Sequence, residues 1–146
     1  MKFQFPAIVF YVDNLPKGMG GCANAFIVRI LEKYRNDEGL HQHELFHVRN
    51  WWANTILSLV VLMVPSFFLV PQPWIWAVVP LCLFVDTIFY IIPQLRLWEE
   101  AEAYKIQLKY PPATTDRDRY AALYAKFISE DYGLSISQEE ALKKMT

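Results

Sequence analysis

The chain has two cysteines in 146 residues, three histidines and a formal net charge of -1, and each scarcity excludes something. Two thiols cannot staple a small secreted scaffold. Cys82 lies in an apolar run and Cys22 in a glycine-rich loop, so no disulfide is expected between them. A near-zero balance leaves no basic stripe, which argues against nucleic acid as a partner. The N-terminus offers one lysine before an apolar run broken by Pro6, with no cleavage-site pattern, and does not read as a signal peptide. Charge is missing most conspicuously from the middle. Between Arg49 and Asp86 there is no Lys, Arg, Asp or Glu.

That charge-free stretch reads as two apolar runs. Ala53 to Val70 has only Asn54, Thr55, Ser58 and Ser66 as polar members. As a helix it would be about 27 Å long, close to the thickness of a hydrocarbon core. Pro71-Gln72-Pro73 breaks it, and Trp74 to Ile92 forms the second run, with Asp86 and Thr87 inside it. Trp51, Trp52, Trp74, Trp76 and Trp98 stand at the run ends, where interfacial aromatics belong. The expectation is a transmembrane helical hairpin with a lipid bilayer as partner. The bland alternative is a buried helical pair in a soluble protein. Arg49, Arg96, Lys105 and Lys109 flank the end opposite the chargeless turn, which places both termini in the cytoplasm. Asp86, an ionisable group in an apolar run, is a functional candidate. It can equally be protonated and hydrogen-bonded to Ser58 or Thr55.

All three histidines fall between positions 41 and 47, within Leu40-His41-Gln42-His43-Glu44-Leu45-Phe46-His47-Val48. His43-Glu44-x-x-His47 is an H-E-x-x-H pattern. On a helix His43 and His47 share a face, can bind one zinc ion, and leave Glu44 able to take a proton from zinc-bound water. The bland alternative is a helix start carrying solvated His and Glu. His41, two residues before His43, points to another face and is not expected to be a ligand. Asn36 or Asp37 can cap this helix.

A third ligand has to return from elsewhere. If the hairpin turns at Gln72, counting outward pairs His47 with position 97 and His43 with position 101. That brings Glu99, Glu100 and Glu102 level with the imidazoles. Helix phase forbids all three from facing one ion, since they are about 100° and 200° apart. Geometry alone leaves the choice open, and a solvated acidic surface is the alternative for those that do not bind.

His43-Glu-Leu-Phe-His47, then apolar segments, then Glu100-x-x-Ala103-Tyr104 resembles the gluzincin metallopeptidases, most closely their membrane-bound groups M48 and M56. The resemblance covers Leu40 to Tyr104. It implies a membrane-embedded zinc metallopeptidase with His43, His47 and Glu100 as metal ligands, Glu44 as catalytic base, one Zn2+ as cofactor and a peptide or protein as substrate. Tyr104 departs from the pattern: the family has Asp there, so another group such as Glu102 would have to orient a ligand. A non-catalytic hairpin, a scaffold or pore-forming assembly with structural or absent metal, is the rival. A di-iron oxidase would want a second Glu-x-x-His motif, and the chain has one.

The remainder reads as supporting structure. Lys2 to Val12 suggests a strand with Pro6 at an edge, and Asp13 to Gly21 a loop. Ala25 to Leu31 fits strand or helix and is taken as a strand able to pair with an extended substrate. Pro93 is expected to kink the second arm, and Pro111-Pro112 to end it. Asp116 to Asp131 reads as an amphipathic helix with Tyr120, Leu123, Tyr124 and Phe127 on one face, ended by Gly133. Ser137-Gln-Glu-Glu140 is a capping box. The expected fold class is α+β, mainly helical, as one domain over 1-146. It divides into a β/loop region 1-36, the zinc-motif helix and first transmembrane helix 37-70, the second transmembrane and third-ligand helix 74-109, and C-terminal helices 113-146.

Overall fold

A computed structural model describes residues 2–4, 6–72, 74–111, 116–130, 132 and 134–145, with the side chains of residues 2–4, 86 and 89 left undescribed. Pro73, Pro112, Asp131 and Gly133, invoked above as breakers and helix ends, fall outside the described residues, as does the side chain of Asp86. The chain is mainly helical, with a small N-terminal sheet.

The sheet has the order β1-β2-β4-β3, from β1 (Lys2–Gln4), β2 (Ala7–Val12), β3 (Gly21–Asn24) and β4 (Ile27–Leu31). Instead of one strand from Lys2 to Val12 there are two, folded back on each other with Gln4 opposite Ala7. Pro6 lies between them, where its missing N–H costs no ladder bond. The strand expected at Ala25 to Leu31 begins at Ile27, because Ala25 (φ 53) is left-handed and turns the chain. β4 runs parallel to β2 and antiparallel to β3, so both its edges are taken and, contrary to expectation, it has none left to pair with an extended substrate. β3 itself was read as loop up to Gly21. Among the described residues no strand pairs with its outer side, so it is a free edge.

The sheet buries one face against α1 (Glu38–Ser58). Ala7, Val9, Val28 and Ile30 meet Leu45 and Val48, all nearly inaccessible. Asp37 caps α1, its side chain accepting from the Leu40 N–H at 2.9 Å. The helix continues through a wider π-helical turn, Leu59–Met63, into α2 (Val64–Leu69). Pro65 accounts for the wider turn, since it lacks the N–H that would bond four residues back and its ring crowds that carbonyl. The whole segment Glu38–Leu69 is 32 residues and, among the described residues, is the one helix long and apolar enough to cross a membrane. The second apolar helical segment, Trp74–Val85, is shorter.

The return arm opens with a 3₁₀ turn (Trp74–Ala77), continues as α3 (Val78–Ile91) and restarts as α4 (Pro93–Gln107). Between them Ile92 is extended (φ -80, ψ 114). α1 packs along both α3 and α4. A second core joins Leu97, Ala101 and Tyr104 of α4, and Leu108 just beyond its end, to α5 (Arg117–Glu130) and α6 (Gln138–Met145). α5 turns Ala121, Tyr124, Ala125 and Ile128 inward. Leu123, expected on that face, is 41% exposed, because the small Ala121 and Ala125 let the helices approach and shift the stripe. The capping box forms: the Glu140 N–H donates to Ser137 Oγ, and the Ser137 N–H donates to the Glu140 carboxylate. Both cysteines are free thiols.

Because the Asp37 carboxylate satisfies an N–H that α1 cannot bond internally, Asp37→Ala should destabilise the fold by about 1 kcal/mol and Asp37→Asn by only a few tenths. Denaturant unfolding measures the difference.

Candidate metal centre

The first turns of α1 and the middle of α4 deliver five polar side chains to one place. His43 and Glu44 are nearly inaccessible, as are Glu99 and Glu100, and His47 is half-buried. The two Nε2 atoms of His43 and His47 are 3.3 Å apart. Glu100 Oε2 lies 3.7 Å from the first and 3.8 Å from the second. A point equidistant from these three atoms is roughly 2.1 Å from each, the length of a bond from zinc to nitrogen or oxygen.

Glu100 Oε2 is buried with no hydrogen-bond partner, and an ion there would satisfy it. The donor set therefore fits a small divalent cation. Among the described residues His43, His47 and Glu100 are the group able to hold one.

The two imidazoles are held differently. His47 Nδ1–H donates to Glu99 Oε1 at 3.2 Å, so that once the ring is neutral its Nε2 carries the inward lone pair. Asn50 Nδ2 donates to the same carboxylate oxygen at 3.3 Å. The ring of His43 stands edge-on to Tyr104, centroids 4.5 Å apart, while its Nδ1 is buried without a hydrogen-bond partner. So Tyr104, which stands where a carboxylate is expected, packs against the His43 ring, and the carboxylate hydrogen-bonded to an imidazole of the cluster is Glu99, on His47. Glu102, the other candidate for that task, pairs with Lys105 at 2.8 Å. Neither Glu99 nor Glu102 joins the three-atom cluster. His41 packs beside Tyr11 on the sheet, away from the cluster.

The straight-arm count brings Glu99 to Glu102 level with the two imidazoles, and Glu99 and Glu100 are the two that meet them, one to three positions from the exact pairings of 97 with His47 and 101 with His43. The offset arises because the return arm is not a straight rod: it opens on a tighter turn and breaks at Ile92.

Glu44 is buried with its carboxylate against β3. A Cβ on Gly21 would lie 2.5 Å from Glu44 Oε1, so only glycine allows this approach. Burial pushes the Glu44 carboxyl up to about 7, against the opposing pull of His47 and with reinforcement from Glu100. Burial also raises Glu100 and holds His43 well below the usual imidazole range. For His47 burial acts downward, but the Glu99 hydrogen bond and the charges of Glu100, Glu44 and Glu99 prevail and push it up to about 9.

No family model, curated protein or solved structure matches the chain. Sequence reasoning missed three participants: Glu99 as the partner of His47, Tyr90 on Glu100, and Gly21 beside Glu44. The first has a retrospective signal, a second acidic residue adjacent to the ligand candidate.

Without metal, His47 holds a proton below about pH 9 that a metal ion must displace. Metal binding at pH 7 should therefore release at least one proton. The apparent affinity should rise about tenfold per pH unit from 7 towards 9 and level off above. Titration calorimetry in buffers of differing ionisation enthalpy counts the protons, and His43→Ala should abolish tight binding.

Proposed function

We propose that the chain is a membrane-embedded zinc metallopeptidase of gluzincin type. The observation that carries this reading is the convergence of His43, His47 and Glu100 at metal-ligand spacing with a buried Glu44 beside them. A zinc ion held there would polarise a peptide carbonyl and make water nucleophilic at neutral pH. The chain's own part is proton handling. Glu44, poised at about 7, is matched to take a proton from the attacking water and to return it to the leaving amine. Glu99 keeps His47 in the tautomer that faces inward.

The peptide substrate would lie extended along β3. That strand offers a free edge of backbone donors and acceptors, and its Gly21 abuts the general base. The open edge is the second feature that favours a peptide over a small molecule.

The membrane part of the reading rests on exposure. Ile56, Leu57, Val60, Val61, Val64, Phe67, Phe68 and Leu69 on the first arm, with Leu81, Phe84, Ile88 and Ile91 on the return arm, are all more than half exposed. An apolar surface of that extent belongs in lipid. Both arms would then cross as a hairpin, with Trp51, Trp52 and Trp98 at the border nearest the metal site. The lysines and arginines beside that border orient it, and both termini, to the cytoplasm.

Glu44→Gln separates enzyme from scaffold. The variant should keep its zinc, since Glu44 is not a ligand, and lose hydrolysis of a fluorogenic peptide library by about 10²–10⁴-fold. Full activity in Glu44→Gln would end the peptidase reading and favour a non-catalytic hairpin. For topology, a reporter fused after the last residue should read as cytoplasmic, and one inserted at Gln72 as lying on the far side. A chain that stays soluble without detergent would contradict the hairpin.

A further inference from the structure

We propose that Tyr90 is a positioning residue that selects which oxygen of Glu100 faces the metal, and that the helix break at Ile92 exists in this fold to deliver it. The inference rests on the metal-site reading above.

The two oxygens of Glu100 have different surroundings. Oε1 accepts a hydrogen bond from the Tyr90 hydroxyl at 3.0 Å. Oε2 has no hydrogen-bond partner and faces both Nε2 atoms, at 3.7 and 3.8 Å. A carboxylate with both oxygens free can rotate, present either one, or chelate with both. With Oε1 held by a phenol, Oε2 alone remains for the ion, which leaves room for a further ligand.

This contact is impossible on an unbroken helix. Residues ten apart on one helix are separated by about 15 Å along the axis and about 80° around it. Here α3 ends at Ile91, Ile92 is extended, and α4 starts afresh at Pro93, with the N–H groups of Leu95 and Arg96 bonded to the Ile92 carbonyl. The change of direction carries the Tyr90 side chain back alongside the second turn of α4.

The phenol ring is itself held. The Arg96 guanidinium lies 4.6 Å from the centre of the Tyr90 ring and 5.2 Å from that of Tyr132, whose hydroxyl is 3.2 Å from that of Tyr104. The cation braces two aromatic rings beside one metal-ligating carboxylate. An interfacial tyrosine acting only as a membrane anchor has no need of either contact.

Tyr90→Phe removes the hydroxyl and keeps the ring on Arg96. Zinc affinity, measured by chelator competition on the full-length protein in detergent, should fall about 10–100-fold. The same substitution made on top of Glu100→Ala should cost nothing further, because its route to the metal is gone. Unchanged affinity in Tyr90→Phe overturns the proposal. So does an equal loss in the Glu100→Ala background, which would mark a general effect on folding. A wild-type protein that binds no zinc overturns this proposal together with the metal-site reading, whereas zinc binding indifferent to Tyr90 overturns this one alone.

Discussion

Too many carboxylates share a dry volume for their charge to be left unopposed. Glu44, Glu99 and Glu100 lie within reach of two imidazoles, and the site admits little water. Like charges in such surroundings cannot all ionise unless positive charge is supplied. The chain supplies one proton, on His47, and the carboxyls of Glu44 and Glu100 are driven upward to relieve the rest. A divalent ion between the three inward atoms would balance the site more fully than that proton does. The inward-facing pair of Nε2 atoms, the bare Oε2 of Glu100 and the carboxylate behind His47 all fit this electrostatic demand.

Two long helices and a small sheet meet the demand by different means. α1 offers His43 and His47 on one face and packs its neighbouring face, through Leu45 and Val48, on the sheet. The sheet therefore fixes the rotation of the ligand helix as well as its position. α4 brings Glu99 and Glu100 on adjacent bearings, and the two divide their labour accordingly: one lies behind His47 and the other in front of both rings. α5 and α6 reach the site indirectly, since Tyr124 stacks on Tyr104 and Tyr104 stands on His43. Tyr124 of α5 thus buttresses the His43 ring at one remove.

The parts legible in the sequence were those with short-range causes. The helical phase of His43 and His47, the Asp37 cap, the Ser137 capping box and the interruption at Pro93 each follow from residues a few positions apart. The parts that were not legible depend on partners distant in the chain. Gly21-Cys22-Ala23-Asn24 has no β-branched or aromatic residue, and its extended form is imposed by β4. The hairpin count brings Glu99 to Glu102 level with the imidazoles, as found, but its exact pairings are displaced by one to three residues because it assumes a uniform rise along an arm that is broken. Leu123 was given to the core on periodicity, but alanines at 121 and 125 allowed a closer approach along a different stripe. Glu99 and Tyr90 acquire their roles only once α1, α3 and α4 are side by side.

The close approach of Gly21 to Glu44 has a consequence for the reliability of β3 itself. An edge strand of four residues with small side chains is weakly held in register, and a slip of one place exchanges its two faces. In the observed pairing Gly21 stands opposite Ile30, and the Cys22 sulfur turns to Arg29. Shifted by one, the strand would swing the Cys22 thiol towards the general base and the two imidazoles. Thiolate is a better ligand for soft metals than carboxylate, so the slipped form would be a competing metal trap. What guards against it is local: the Leu31 N–H bonded to the Gly20 carbonyl, and the left-handed Ala25 that sets where the strand must reverse. Two backbone details at the ends of one short strand thereby keep the Cys22 sulfur on the Arg29 side, away from the histidine–glutamate cluster.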